Sequence, residues 1–121
     1  MRRVIALEEI AKVILCYILS LQLGYAWWVY LVLLLTPDLS MLGYLLNNKT
    51  GALLYNIFHH QGIAIVVGLA GLWLASQEWM LAGLVLFGHS GMDRALGYGL
   101  KYPDHFKHTH LGWIGKADEV V

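Results

Sequence analysis

Four stretches of apolar residues, each near the length of a bilayer-spanning helix, alternate with short polar breaks along the chain. They run from about Ile5 to Leu23, Tyr25 to Leu46, Gly51 to Ala75 and Trp79 to Leu96. A helix needs about 20 predominantly apolar residues to cross the hydrocarbon core. The breaks at Gln22–Tyr25, Asn47–Thr50 and Ser76–Glu78 are short, which makes sequential helices antiparallel neighbours. Trp27, Trp28 and Tyr30 open the second stretch and Trp79 the fourth, as interfacial aromatics do. Glu8 and Lys12 are spaced for an i,i+4 pair on the first helix. Thr36-Pro37-Asp38 interrupts the second helix, where proline removes a backbone donor and frees a carbonyl one turn earlier. Beyond Leu96, the frequent Gly97, Gly99, Pro103, Gly112 and Gly115 exclude a fifth span. The expected fold is all-α: a four-helix transmembrane bundle over residues 1–96 with a Pro-broken second helix, and a cytoplasmic C-terminal tail over 97–121.

Composition supports this reading. Hydrophobic residues make up 59% of the chain and charged residues 13%, against about 25% charged in an ordinary soluble domain. The mean hydropathy is +0.60. A net charge of zero with neutral histidines gives no nucleic-acid footprint. The single Cys16 forms no disulfide framework and reads as a packing residue. Met1-Arg2-Arg3 and the apolar run after it resemble a signal peptide. Glu8, Glu9 and Lys12 interrupt that run and no small-residue cleavage pattern follows, so a retained helix is expected. Four crossings place every lysine and arginine (Arg2, Arg3, Lys12, Lys49, Arg94, Lys101, Lys107 and Lys116) on or toward the N-terminal side. The positive-inside rule makes that side the cytoplasm.

Ionisable groups within spans are costly and face a partner, a cavity or the bundle interior. Asp38, His59, His89 and Asp93 are such groups. At a rise of about 1.5 Å per residue, Asp38 lies roughly 13 Å and His59 roughly 12 Å below the cytoplasmic turn, with Asp93 nearly level and His89 one turn deeper. His89 and Asp93 share a helix face at i,i+4, as do Asn56, His59 and His60. Two aspartates and one or two neutral histidines suit a divalent metal such as Zn, Mn or Fe. Two alternatives stand beside this: an ion-pair network, with Asp38 against Arg94 or a histidine, and a proton or ion pathway. The enzymatic reading is metal-dependent hydrolysis of a lipid or phosphoester. Asp38, His59, His89 and Asp93 would hold the metal, His89, Asp93 and Arg94 would act catalytically, and Arg94 or Lys101 would bind phosphate. The non-enzymatic reading is a polar layer that fixes helix packing or conducts protons.

The tail mixes glycines, aromatics and cations with His105, His108 and His110. It reads either as a membrane-surface segment or as a lid that brings His108 or His110 over the cluster. Gly62, Gly68 and Gly71 offer close packing, within the bundle or in a homodimer.

The run Pro37-Asp38-Leu39-Ser40-Met41-Leu42-Gly43-Tyr44, then Gly51-Ala52, Tyr55-Asn56 and His59, then His89-x-Gly91-x-Asp93-Arg94, Gly97-Tyr98-Gly99-Leu100-Lys101-Tyr102, Phe106 and Thr109-His110-Leu111-Gly112 resemble the signature of a small bacterial integral membrane family. This is domain-of-unknown-function family 4260, and the resemblance covers nearly the whole chain. Tyr44, Asn56, His59, His89, Asp93, Arg94, Lys101, Thr109 and His110 match its pattern, while His60 departs from it. The resemblance implies a multipass protein of the bacterial cytoplasmic membrane with both termini cytoplasmic. It implies no established activity. With Asp38, these residues give the metal set, and Tyr44, Asn56, Lys101, Thr109 and His110 form a supporting or substrate-binding set. A Pro-Asp motif at a helix break, with histidines on other helices, is also similar to membrane-bound metal-dependent hydrolases, at the level of analogy.

Overall fold

The computed structural model describes residues 1–114; Gly115 and Lys116 of the expected tail lie outside the described residues. The elements are α1 (Arg2–Gln22), α2 (Trp27–Leu33), a 3-10 helix (Thr36–Leu45), α3 (Asn48–His59), α4 (Gln61–Leu74), α5 (Gln77–Ala95), and the two-residue strands β1 (His108–Thr109) and β2 (Gly112–Trp113). The strands pair antiparallel, with His108 opposite Trp113 and Thr109 opposite Gly112.

The fold is all-helical apart from this hairpin, but the four expected segments are divided differently. The second comprises α2 and the 3-10 helix, with Pro37 in the first turn of the latter, where its missing N–H costs least. The third is two helices bent by 50°. His60 causes that bend. It takes an extended conformation (φ −82°, ψ 119°), and its Nδ1 accepts from Ile63 N–H as the N-cap of α4. His60 is thus a cap and no part of the cluster. Asn47 and Ser76 cap α3 and α5 through their side chains in the same way.

Among the described residues, one helical stretch, Trp27–Leu45, is long and apolar enough to cross a membrane; α3 and α4 make a second if the bent pair counts as one span. Helices α1 and α5 have the length but carry Glu8, Glu9 and Lys12, and Glu78, Asp93 and Arg94. In α1, Lys12 pairs with Glu9 at 3.1 Å rather than with Glu8. Buried Glu9 also accepts from Gln61 Nε2 at 2.9 Å, and Lys12 donates to Gln61 Oε1 at 3.0 Å. This closed ring of three polar groups ties α1 to the first residue of α4.

Helix α5 packs along both α1 and α4, while α3 lies on the 3-10 helix. The core between α1, α2 and α5 contains Cys16, Tyr30, Leu81 and Val85. Buried Tyr30 donates its hydroxyl to the Leu84 carbonyl at 2.7 Å. It reaches that carbonyl across Gly88, where a Cβ would overlap Tyr30 Oη. Gly68 and Gly71 also face α5, Gly68 against Gly83 and Gly71 against Met80. Gly62 abuts the His60 ring. These small residues serve contacts within the chain.

Gly88→Ala is expected to destabilise the protein by about 1–3 kcal/mol, the usual cost of overpacking. Tyr30→Phe removes the clashing hydroxyl, so the double variant should lose less than the two single losses together. Thermal unfolding of the four proteins in one detergent checks this coupling.

Candidate metal centre

The cluster begins with a backbone irregularity. In a continuous α-helix the Leu34 carbonyl would accept from Asp38 N–H, but that N–H bonds to Leu35 O at 3.3 Å. The donor three residues on is Pro37, which has no N–H. The Leu34 carbonyl is therefore free, and it accepts from His89 Nδ1–H on α5. The preceding carbonyl, Leu33, is taken by the Thr36 hydroxyl at 2.7 Å. At the end of α3 the same logic recurs: the His59 carbonyl, left over where the helix stops, accepts from Ser90 Oγ at 2.6 Å.

His59 and His89 are both oriented by backbone carbonyls. His59 Nδ1 lies 2.8 Å from Tyr55 O. A carbonyl only accepts, so each Nδ1 carries a hydrogen and each Nε2 faces the other way, into the cluster. There Asp38 Oδ1 lies 3.4 Å from His59 Nε2 and 3.0 Å from His89 Nε2. Asp93 Oδ2 lies 3.3 Å and 3.4 Å from the same two nitrogens. All four atoms fall within 4.8 Å of one another. A tetrahedral zinc site with bonds of about 2.0–2.1 Å has ligand atoms about 3.3–3.4 Å apart. Three of the four nitrogen–oxygen separations match that spacing, and the fourth, His89 Nε2 to Asp38 Oδ1, is shorter at 3.0 Å.

Burial is uneven. His59, His89 and Asp93 are buried, whereas the Asp38 side chain is 43% exposed, so the cluster opens on the 3-10 helix side. Tyr55 supports it from α3: its hydroxyl donates to Asp93 Oδ2 at 2.9 Å and its ring stacks on His59 at a centroid distance of 3.7 Å. His59 Nε2 makes no hydrogen bond despite its two carboxylate neighbours. The Asp93 oxygen is thus fixed by a tyrosine and the two nitrogens by carbonyls, an arrangement that can orient ligands around a cation.

The chain then returns over α3. Helix α5 ends with Gly97 at φ +94°, Gly97 N–H bonding to Arg94 O and Tyr98 N–H to Asp93 O. This is a Schellman turn, which needs the left-handed conformation glycine tolerates. It delivers Lys101 to Asn56, whose Oδ1 accepts from Lys101 N–H at 2.6 Å and whose Nδ2 donates to Lys101 O at 2.8 Å. Lys101 is only 5% exposed. Its Nζ sits 4.7 Å from the Tyr55 ring centre and 4.1 Å from that of Phe106. Burial lowers its pKa to about 8, against the opposing pull of Asp93 and Asp38. Tyr44 stands edge-on to Phe106 at 5.2 Å, and its buried hydroxyl has no hydrogen-bond partner.

Of the residues singled out in the sequence, Asp38, His59, His89 and Asp93 converge. Tyr44, Asn56 and Lys101 form the adjoining layer. Arg94 lies beside Asp93 and borders a small cavity shared with Tyr55, His59, Ser90, Asp93, Tyr98, Gly99 and Leu100. Thr109 and His110 organise the tail: Thr109 Oγ1 donates to Gly112 O, and His110 Nδ1 accepts from Leu100 N–H. His110 has its pKa lowered by burial and by the charge of Arg94. His108 pairs with exposed Asp104 at 2.9 Å, and that contact lowers the Asp104 pKa. No tail histidine joins the four-residue group. Sequence reasoning missed Tyr55, Ser90 and Phe106 as neighbours of the site. Tyr55 was accessible to it, being one helical turn before His59 on the same face.

Asn56→Ala should release the returning segment. Loss of two hydrogen bonds is expected to speed exchange of the Lys101 amide by roughly tenfold or more, while amides in the middle of α5 stay unchanged. Hydrogen–deuterium exchange with residue-level fragments measures this.

No curated protein and no solved structure matches the chain. Neither comparison shows the expected similarity to membrane-bound metal-dependent hydrolases. One family profile does match, described as domain of unknown function (DUF4260), over residues 2–114. That match covers all but the first residue and the last seven, and the chain belongs to the DUF4260 family.

Proposed function

We propose that this protein is embedded in a membrane and binds one divalent cation through Asp38, His59, His89 and Asp93, as the centre of a metal-dependent hydrolase for a lipid or phosphoester. The observation that carries the metal is His59 Nε2. It is buried and within 3.4 Å of two carboxylate oxygens, yet aligned to hydrogen-bond with neither. A proton on that nitrogen would be buried without an acceptor, at a cost of about 1–3 kcal/mol. A cation among the four atoms instead uses its lone pair and offsets the repulsion of four converging acceptors. Two neutral imidazoles and two carboxylates suit Zn, Mn or Fe. A bound dication supplies Lewis-acid polarisation of a phosphoryl or carbonyl oxygen. The opening beside half-exposed Asp38 gives a substrate access.

Membrane embedding is supported by the exterior. Val4, Leu7, Ile14, Leu42, Val66 and Leu72 are all exposed, and a groove of about 490 Å³ between α1, α4 and α5 is lined almost wholly by apolar side chains. So many exposed large apolar side chains beside an apolar groove suit a lipid-facing surface better than a water-facing one. The basic residues flanking the helices favour cytoplasmic termini.

The rival is a proton-filled ion-pair network, favoured by the 3.0 Å contact of His89 Nε2 with Asp38 Oδ1. Protein purified without a histidine tag and analysed by plasma mass spectrometry separates the two. The metal reading predicts about one equivalent of a divalent metal, lost in Asp38→Ala and His59→Ala, and roughly tenfold weaker affinity in Tyr55→Phe. Occupancy should fall on acidification, because protons compete for the ligands. Metal-free wild type after re-addition of Zn, Mn and Fe would leave the network reading.

A further inference from the structure

Lys101 is a buried cation with no matching anion in contact. Its ammonium carries three donors, yet among the described residues Nζ makes no hydrogen bond and no ion pair. Its neighbours are the faces of Tyr55 and Phe106. Cation–π contact compensates part of the lost hydration but accepts no hydrogen bond. Beside Phe106, Tyr44 holds a second donor, a buried hydroxyl without a partner, on a ring seated against Gly51. Tyr55, which stacks on His59 and bonds to Asp93, joins this layer to the cluster. One buried donor without a partner, the Tyr44 hydroxyl, and an ammonium without a hydrogen bond among the described residues thus adjoin the four acceptors of the other layer.

Charge balance completes the argument. Without a cation, Asp38 and Asp93 carry two negative charges near Lys101. With a dication and neutral imidazoles that sum is zero, and the Lys101 charge stands uncompensated in a buried place. Metal loading therefore creates the need for an anion.

We infer that Lys101 and Tyr44 form an anion subsite for a phosphate group, occupied when the adjoining centre holds its metal. This rests on the metal reading above and deepens it. Asn56, which fixes the Lys101 backbone, is a positioning residue for the subsite.

The test titrates inorganic phosphate into the full chain in a non-ionic detergent, by calorimetry, with metal content measured on every sample. Metal-loaded wild type should bind phosphate at least about tenfold more tightly than the chelator-treated protein. Lys101→Met should keep its metal and lose roughly tenfold or more in phosphate affinity, the size expected for a charge-assisted hydrogen bond. Tyr44→Phe should lose roughly threefold or more, whereas Lys101→Arg retains binding. Wild-type phosphate affinity in metal-bearing Lys101→Met overturns the subsite and leaves the metal reading intact. Equal affinity with and without metal also overturns it. A wild type that takes up no metal overturns both. Dihexanoyl phosphatidic acid as a second probe identifies the source: tighter binding than inorganic phosphate assigns a lipid headgroup, and equal binding a water-soluble phosphoester.

Discussion

Four hydrogen-bond acceptors point at one another from three separate helical elements, and the surrounding structure holds them there. Each imidazole is anchored by its other nitrogen to a main-chain carbonyl, Leu34 for His89 and Tyr55 for His59. Neither anchor is incidental. The Leu34 carbonyl is free because Pro37 lacks an N–H and Asp38 N–H bonds one residue closer. The Tyr55 carbonyl belongs to the residue whose ring stacks on His59 and whose hydroxyl holds Asp93. Such convergence of acceptors is unfavourable without a positive species among them, which a metal ion or a protonated imidazole supplies.

This junction also unites two parts of the fold. Helices α1, α4 and α5 pack through Tyr30, the α4–α5 glycines and the Glu9–Lys12–Gln61 ring. The 3-10 helix and α3 form the other part, joined to the first by Asp38, His59, Ser90 and the His89–Leu34 bond. The tail from Gly97 closes over α3 rather than extending away, because the Schellman turn at the end of α5 points it back to Asn56. Lys101 is thereby carried from an expected surface position to a buried aromatic box.

Much of the cluster was legible in the sequence, because ionisable residues in apolar stretches stand out and helical rise converts spacing into depth. That count placed Asp38, His59 and Asp93 in one layer, and the three do meet. The i,i+4 spacing of His89 and Asp93 carried over directly. Less was legible where one residue changes backbone direction. His60 looked like a third polar group on the face of His59, but its ring caps α4 and the third segment bends there. Lys12 was paired with Glu8 by spacing alone, yet packing against Gln61 selects Glu9. The role of Pro37 was visible as a freed carbonyl. Its partner, His89 Nδ1, depended on a helix more than 50 residues away. The hairpin at His108–Trp113 left no periodic signal, since each strand is two residues long.

The central claim is that this acceptor cage holds a metal through two histidines and two aspartates. X-ray absorption at the edge of the metal bound to the full-length protein tests it most directly. The account predicts a first shell of nitrogen and oxygen only, at about 2.0–2.1 Å for zinc, with the multiple-scattering signature of two imidazoles that falls to one in His59→Ala or disappears with the metal. A sulfur-containing shell, or a bound metal whose spectrum is the same in wild type and His59→Ala, would contradict it.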